Sequence, residues 1–257
     1  MPRGMRWLGP PGSEIQFPEP GSALNWPNGL LAAGGDLAPE RLLAAYRRGI
    51  FPWYEAGQPV LWWCPDPRAV IFPGELHVSR RLQRFLARGP FAASIDHAFE
   101  QVVAGCARLD DPGVGTWITP EMSAAYLRLH ALGHAHSVEV WSGDALAGGL
   151  YGVAVGRAFF AESMFSRVDH ASKAAMVVLV AELLRREFAV MDCQLHSAHL
   201  ARMGAREIPR NEFLALLARC VDDAPPDGAP WRSERRPVPS RPGPATRAPA
   251  TLRGDRD

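Results

Sequence analysis

The sequence predicts a protein of mixed strands and helices, of the α+β or α/β class. Short runs with the period of strands are interspersed with amphipathic stretches, and clusters of glycine and proline separate them. The chain has 257 residues, of which 47% are hydrophobic, so it can bury a substantial core in one large domain or two small ones. Its four cysteines include no C-x-x-C pair, and we expect reduced thiols, with neither disulfides nor a zinc site.

The first 68 residues are expected to form a small N-terminal domain. Residues 25–35 have the composition of turns around a short apolar run. Pro39 can occupy the first turn of a helix that ends at Gly49 and carries an apolar stripe of Leu42, Leu43 and Tyr46. Residues 51–68 then contain five aromatic residues and four prolines. Because proline disfavours helices and central strands, we expect these rings on a stiff, irregular backbone.

Residues 69–221 are expected to form a larger domain, followed by a tail. Periodicity predicts strands over residues 69–72, 91–95, 136–141, 145–155, 157–165 and 188–193. It predicts helices over residues 79–88, 96–107 (with Asp96 as the cap), 120–133, 171–187 and 209–220, and a short helix near residue 196. Residues 222–257 contain eight prolines and seven arginines with few large apolar side chains, which predicts a disordered tail.

Charge and hydropathy narrow the possible partners. No run approaches the roughly 18 apolar residues of a membrane span, and residues 1–12 lack the apolar region of a signal peptide. We therefore expect a cytoplasmic protein without a membrane partner. The net charge of +1 means that nucleic-acid binding would require a local patch. Arg80, Arg84 and Arg88 recur every fourth residue, and their stripe is consistent with either a solvated face or contacts to RNA phosphates.

Four tryptophans are candidates for ligand contacts. Two such rings can sandwich an adenine, at about 1–3 kcal/mol per stacked base. The alternative is that the rings fill a seam between domains. We favour the structural role for Trp62 and Trp63, and the binding role for Trp53 and Trp117.

Two polar segments are candidates for chemistry. Residues 161–167 place Glu162 beside Met164 and Phe165 at a predicted strand end, which suits a site that reads a small side chain and a polar group together; capping of the next helix is the alternative. Asp192 and Gln194 are two apart on a predicted strand, so we expect them to share a face, orient an amine and relay its proton. The opposite orientation of the intervening cysteine argues against a thiol nucleophile.

Ten short motifs, in order, resemble those of leucyl/phenylalanyl-tRNA–protein transferases. They are P-N-G-L-L-A-A-G-G-D-L (27–37), L-L-A-A-Y-R-R-G-I-F-P-W (42–53), W-W-C-P-D-P-R (62–68), H-V-S-R (77–80), T-W-I (116–118), G-H-A-H-S-V-E-V-W (133–141), G-G-L-Y-G-V (148–153), E-S-M-F-S-R (162–167), A-S-K (171–173) and D-C-Q (192–194). The resemblance implies a small N-terminal domain packed on a larger domain with an acetyltransferase-like (GNAT-type) mixed sheet, hence α+β, with no metal or coenzyme. It also implies transfer of leucine or phenylalanine, with methionine a further candidate, from aminoacyl-tRNA to a protein's N-terminal arginine or lysine, which marks that protein for degradation.

The resemblance also implies roles for particular residues. Trp53 and Trp117 would hold the terminal adenosine of the tRNA, and Arg80, Arg84 and Arg88 are our choice for its phosphates. Glu162, Asp192 and Gln194 would form the catalytic and amine-binding set. The aminoacyl pocket is expected at Met164, Leu150, Met191 and Phe165. Ala161 and Met191 depart from the usual residues, which affects the expected shape of the pocket, and Ser197 stands where asparagine often appears.

Two other functions agree with parts of the sequence. An acyltransferase with a coenzyme-linked donor would need a glycine-rich pyrophosphate loop that opens a helix, and the sequence contains none. A non-catalytic peptide- or RNA-binding module would not explain Asp192 and Gln194. We expect a monomer.

Overall fold

The computed structural model describes residues 5–108, 116–223 and 230–243, and the first part of it is built on a four-stranded sheet. The strands are β1 (Arg6–Leu8), β2 (Leu30–Gly34), β3 (Phe51–Pro52) and β4 (Leu61–Trp63), in the order β1-β2-β4-β3, and α1 (Pro39–Arg47) lies between β2 and β3 in the chain. The expectation that residues 51–68 exclude a central strand was wrong, because β4 pairs on both sides. Its three residues contain no proline, so each of them has a backbone N–H that can pair with a neighbouring strand.

An eight-stranded sheet forms the larger part of the molecule. Its strands are β5 (Arg68–Ile71), β6 (Ala92–Ile95), β7 (Ala135–Ser142), β8 (Ala145–Val155), β9 (Ala158–Ser166), β10 (Val190–Gln194), β11 (Arg206–Ile208) and β12 (Ser233–Pro237). They lie in the order β11-β5-β10-β9-β8-β7-β6-β12. Only β9 and β10 pair in parallel; the other described neighbours are antiparallel. The prediction of a mixed fold with a small N-terminal part and a large mixed sheet is confirmed.

Helices cover both faces of this sheet. They are α2 (Arg80–Leu86), α3 (Phe99–Cys106), α4 (Pro120–Ala131), α5 (Ala171–Arg185), α6 (Ala198–Ala201) and α7 (Arg210–Ala218). Adjacent residues of a strand point to opposite faces, and in β8 Leu150 joins the core under α2 and α5, whereas Tyr151 joins the core under α3 and α4. The second core also contains α1 and the inner face of the small sheet. None of the helices in the described part of the chain is long and apolar enough to cross a membrane.

The β8–β9 hairpin turns at Gly156, where the backbone permits no side chain. Gly156 has φ of +56°, and a Cβ there would lie 2.2 Å from the carbonyl oxygen of Cys220. Glycine is therefore required by conformation and by close approach. The turn fixes the register of the two longest strands of the sheet, which carry much of the site described below.

Asp96 does not cap α3 as its position in the sequence predicts. Its backbone has φ of +54°, and Ala98 occupies the N-cap position. The carboxylate instead accepts from the backbone N–H of Ser137 at 2.8 Å and contacts Nδ1 of His136 at 2.7 Å. A tertiary contact to β7 thus replaces the local cap.

The prediction of a disordered tail from residue 222 was wrong for residues 233–237, because they form the outermost strand of the sheet. β12 pairs with β6, and Trp231 stacks on His136 with ring centroids 4.1 Å apart. The Arg186 guanidinium lies 4.6 Å from the centre of the same indole. Composition did not reveal this, because one tryptophan and a strand ladder provide the attachment. Residues 224–229 and 244–257 lie outside the described residues.

Replacing Trp231 by alanine should lower the free energy of unfolding by about 2–3 kcal/mol, somewhat below the range for fully buried tryptophan. The indole is half-buried and contacts His136, Phe159 and Phe188. Urea unfolding would measure the change, with the exposed Arg241→Ala as the matched control. An unchanged midpoint in Trp231→Ala would show that the segment adds no stability.

Candidate active site

A cavity of about 310 Å³ opens where β9 and β10 separate. The two strands pair only as far as Phe160 and Asp192. Beyond that point β9 continues to Ser166 along β8, whereas β10 ends at Gln194, whose φ is +59°. The cavity is lined by Leu150, Ala161, Glu162, Ser163, Met164, Cys193, Gln194, Ser197, His199 and Leu200. It therefore collects side chains from three neighbouring strands and from α6.

Gln194 brings an unused hydrogen-bond donor to this cavity. Its backbone N–H donates to Oδ1 of Asp192 at 3.0 Å, which stabilises the left-handed conformation. Its side-chain Nε2 is buried and has no hydrogen-bond partner within the described residues. An unpaired buried donor costs about 1–3 kcal/mol, so the site is arranged to receive an acceptor atom.

Asp192 occupies a different place from the one predicted. The register shifts between Asp192 and Gln194, so the alternation that would put their side chains side by side is broken. Asp192 is completely buried and lies outside the cavity lining. Both its oxygens accept from Arg68, from Nε at 2.8 Å and from Nη2 at 2.7 Å. Asp192 acts on the cavity through the backbone of Gln194.

Glu162 is held by two buried tyrosines. The hydroxyl of Tyr46 in α1 donates to Oε1 at 2.8 Å, and the hydroxyl of Tyr126 in α4 donates to Oε2 at 2.5 Å. Burial raises the pKa of Glu162 to about 7, although both tyrosine hydrogen bonds act in the opposite direction. The carboxyl is therefore partly protonated near neutral pH.

The structure brings two of the four predicted pocket residues to the cavity. Leu150 and Met164 line it. Met191 does not, because its side chain is fully buried in the core under α5. Phe165 does not either; as the neighbour of Met164 on β9 it points to the opposite face, against Gly105 of α3. Met191 and Phe165, both expected in the aminoacyl pocket, therefore do not line this cavity, since motif position gives no side-chain direction.

Trp53 and Trp117 lie on segments that contact each other through a pair of buried hydroxyls. Trp53 is 42% exposed and its ring centroid lies 5.6 Å from that of Trp63. The hydroxyls of Tyr54 and Thr119, just after Trp53 and Trp117 in the chain, lie 3.3 Å apart. Trp62 is fully buried against Phe17, with centroids at 4.9 Å. Trp62 therefore has a structural role, but it lies in the core of the small sheet and not in a seam between domains.

Arg80 and Arg84 lie on the outer side of α2, and Arg88 follows two residues after the end of this helix. Arg80, Arg84 and Arg88 are exposed, whereas Leu82 and Leu86 are buried. Phe85 of α2 contacts His170 at the start of α5, with centroids at 4.8 Å. The stripe thus lies on the same side of the sheet as Met164 and the cavity.

A second, larger cavity of about 720 Å³ lies between residues 56–60 and α4. It is lined by Glu121, Ala124 and Arg128 of α4, whereas Tyr126 points to the other side of this helix, toward Glu162. Neither Glu162 nor Gln194 reaches it. Its lining also contains carboxyl groups (Asp36 and Glu121) and an amide (Gln58), but Asp36 is paired with Arg41 and Gln58 accepts from the backbone N–H of Glu55.

Sequence reasoning missed three residues of the site: Tyr46, Tyr126 and Arg68. All three belong to segments that were given other roles, as helix stripes or as the end of the proline-rich stretch. Their contacts join residues 36 to 124 positions apart in the chain. A single sequence carries no direct signal for such pairs.

The cavity combines an apolar floor, a carboxyl whose pKa burial raises to about 7 and an unpaired amide donor, and these features suit an enzyme that transfers an acyl group with an apolar side chain to a polar acceptor. Family models described as "Leucyl/phenylalanyl-tRNA protein transferase" and "Leucyl/phenylalanyl-tRNA protein transferase N-terminal domain" match residues 70–218 and 35–66. The chain belongs to the leucyl/phenylalanyl-tRNA–protein transferase family, which confirms the resemblance seen in the motifs.

Individual relatives agree with this assignment. A leucyl/phenylalanyl-tRNA–protein transferase of Aromatoleum aromaticum is 56% identical over 85% of this chain and 92% of its own length. One from Stutzerimonas stutzeri is 54% identical over 86% of this chain and 96% of its own. Among solved structures, L-PGS from Bacillus licheniformis covers 65% of this chain and 53% of its own at a TM-score of 0.37 and 9% identity, a similarity too low to identify a common fold.

Replacing Asp192 by alanine should lower the free energy of unfolding by about 3–5 kcal/mol, because it leaves the guanidinium of Arg68 buried without its partner. Both side chains are 0% exposed. The matched control is Asp222→Ala, which removes an aspartate paired with Arg47 at 3.1 Å but 86% exposed and should change stability little. Chemical unfolding measures both. Equal stability of the two variants would contradict the anchoring role of the buried pair.

Proposed function

We propose that this protein transfers leucine or phenylalanine from aminoacyl-tRNA to the N-terminal arginine or lysine of other proteins within the cavity between β9 and β10. The family supports the reaction. The observation that carries the location is that Glu162 and Gln194, whose side-chain amide has a buried donor without a partner among the described residues, line one cavity with an apolar floor. The added residue marks the acceptor protein for degradation.

Leu150 and Met164 form the floor that receives the aminoacyl side chain. Such a floor discriminates by only about 1–3 kcal/mol per methylene, and a flexible methionine adapts to different shapes. Leucine, phenylalanine and methionine should therefore enter. A side chain branched at Cβ should be excluded at the narrow entrance.

Gln194 positions the reacting groups. The free Nε2 donor suits the ester carbonyl oxygen, which gains negative charge when the amine attacks, while the amide oxygen can accept from the amine. Asp192 is a positioning residue that holds the backbone of Gln194. The acceptor's α-amino group has an ordinary pKa of about 7.7–8.0, so strong base catalysis is unnecessary. Alignment of amine and ester can supply roughly 7–11 kcal/mol in the best cases.

We assign the contacts with tRNA to two tryptophan rings and three arginines. Trp53 and Trp117 stack on the terminal adenosine, which suits the exposed indole of Trp53. Arg80 and Arg84 contact phosphates from the outer face of α2, and Arg88 does so from just after its end. Stacking and phosphate contacts carry little sequence information, so the enzyme should depend weakly on RNA sequence.

The proposal also covers the fold type of the larger domain, the oligomeric state and location of the enzyme, and the extent of its domains. The larger domain is of the acetyltransferase-like (GNAT) type, which the single parallel β9–β10 pair and its divergence support. The enzyme works as a monomer in the cytoplasm. The four-stranded sheet and α1 form the small N-terminal domain, which supplies Tyr46 to the site, and the eight-stranded sheet, from Arg68 in β5 to β12, forms the catalytic domain.

Incubation with leucyl-tRNA and a peptide that begins with arginine should add one leucine to the peptide, detected by mass spectrometry. Gln194→Ala should lower kcat by about 100- to 1000-fold, as loss of one oxyanion donor does. The exposed Gln16→Ala is the same chemical change outside the site. Normal turnover in Gln194→Ala would exclude this cavity as the place of transfer.

Joint replacement of Arg80, Arg84 and Arg88 by alanine should weaken tRNA binding and leave kcat at saturating tRNA unchanged, because the stripe contacts phosphates and not the reacting atoms. The slope of log affinity against log salt should fall by about 0.7–0.9 for each phosphate that is no longer neutralised. The exposed Arg219→Ala serves as control. An unchanged salt slope in the triple variant would show that the three arginines contact solvent and not RNA phosphates.

A further inference from the structure

Three oxygen-bearing groups form a closed triangle at the edge of the cavity. The hydroxyls of Tyr46 and Tyr126 lie 3.0 Å apart, Tyr46 lies 2.8 Å from Oε1 of Glu162, and Tyr126 lies 2.5 Å from Oε2. Both tyrosines are completely buried. The three groups come from α1, α4 and β9, so the small domain contributes one corner.

The number of protons in the triangle depends on the charge of Glu162. When Glu162 is ionised, only the two phenolic protons are available for the three contacts between oxygens. Both tyrosines donate to the carboxylate, so no proton lies between the hydroxyls of Tyr46 and Tyr126. When the carboxyl is protonated, Oε1 can donate to Tyr46, Tyr46 to Tyr126, and Tyr126 to Oε2. All three contacts then contain a proton. The same arrangement of oxygens accommodates both states, so a proton can be taken up without rearrangement.

We propose that Tyr46 and Tyr126 are positioning residues for the transfer proposed above, and that with Glu162 they form a cluster that takes up one proton from the attacking amine. The amine enters as an ammonium and loses two protons as the C–N bond forms. One proton goes to the ribose oxygen, which leaves as a hydroxyl when the ester C–O bond breaks. The other goes to the Glu162 carboxylate and later to solvent. No redox step is involved.

The surroundings of Glu162 suit this role. Besides the two tyrosines, the ionisable groups that face it are Tyr151 of β8, Asp192 of β10 and Arg68 of β5, with Cys193 and His199 across the cavity. Asp192 and Arg68 act in opposite directions and are paired with each other. Burial is the largest influence and raises the pKa of Glu162 to about 7, where proton uptake and release are most nearly balanced in the cell.

Tyr126→Phe and Tyr46→Phe test the proposal, because each removes one oxygen and keeps the ring. Each hydrogen bond stabilises the carboxylate, so its loss raises the pKa of Glu162 and leaves less carboxylate at neutral pH. The acid limb of the kcat profile, measured with leucyl-tRNA and an arginine peptide over about pH 5.5–8.5, should move up by about one pH unit. Turnover at pH 7 should fall several-fold and recover at high pH.

Tyr151→Phe is the matched control. Tyr151 is equally buried and packs on Tyr126 with centroids at 5.1 Å, yet its hydroxyl has no hydrogen-bond partner within the described residues. Its profile should coincide with that of the unmodified enzyme. If Tyr126→Phe and Tyr46→Phe also coincide with it, the cluster is not the proton acceptor and the inference is overturned, while the transferase activity stands. If the unmodified enzyme adds no leucine, the proposed function fails instead.

A second measurement does not depend on the stability of the tyrosine variants. In the unmodified protein, the infrared band of a protonated carboxyl should titrate near pH 7 and be absent in Glu162→Gln. A Glu162 carboxyl that titrates below about pH 5, in its ordinary range, would overturn the inference.

Discussion

The buried ion pair of Arg68 and Asp192 is the interaction on which the site depends. It joins β5 to β10, and Nη1 of Arg68 also donates to the carbonyl oxygen of Gly49 at 2.9 Å, at the end of the first helix. Removing two charges from water is costly, and the cost is offset only by close geometry and further hydrogen bonds. Here the bidentate pair, the Gly49 carbonyl and the backbone N–H of Gln194 supply them. This ion pair thus fixes the positions of the small domain, the end of β10 and Gln194, whose amide side chain belongs to the cavity.

The cavity itself follows from sheet geometry. A parallel pair inside an otherwise antiparallel sheet ends early, at Phe160 and Asp192, because the left-handed residue Gln194 turns β10 away. The part of β9 beyond this point keeps β8 as a partner and loses β10. Its side chains from residue 161 onward therefore border an opening. Polar groups that would be costly in a continuous core become available there to a substrate.

The sequence predicted the family, the mixed fold and most elements, since periodicity in segments such as 145–155 and 171–187 is local information. The residues of the site were predicted less well. Motif position identified Glu162 and Gln194, but a bulge removed Asp192 from the cavity, and strand alternation turned Phe165 to the other face. The phenol contacts to Glu162 depend on the meeting of three distant elements, which no single-sequence pattern encodes. The C-terminal strand was missed because composition measures apolar content and not whether a sheet edge is available.

That C-terminal strand has a consequence for behaviour in concentrated solution. β6 would otherwise end the sheet with a row of unpaired amide and carbonyl groups, a template on which other chains can add. β12 occupies this row, and four of its five residues are charged or proline at exposed positions, namely Glu234, Arg235, Arg236 and Pro237. β12 thereby covers the edge of β6, and its exposed residues are mostly charged.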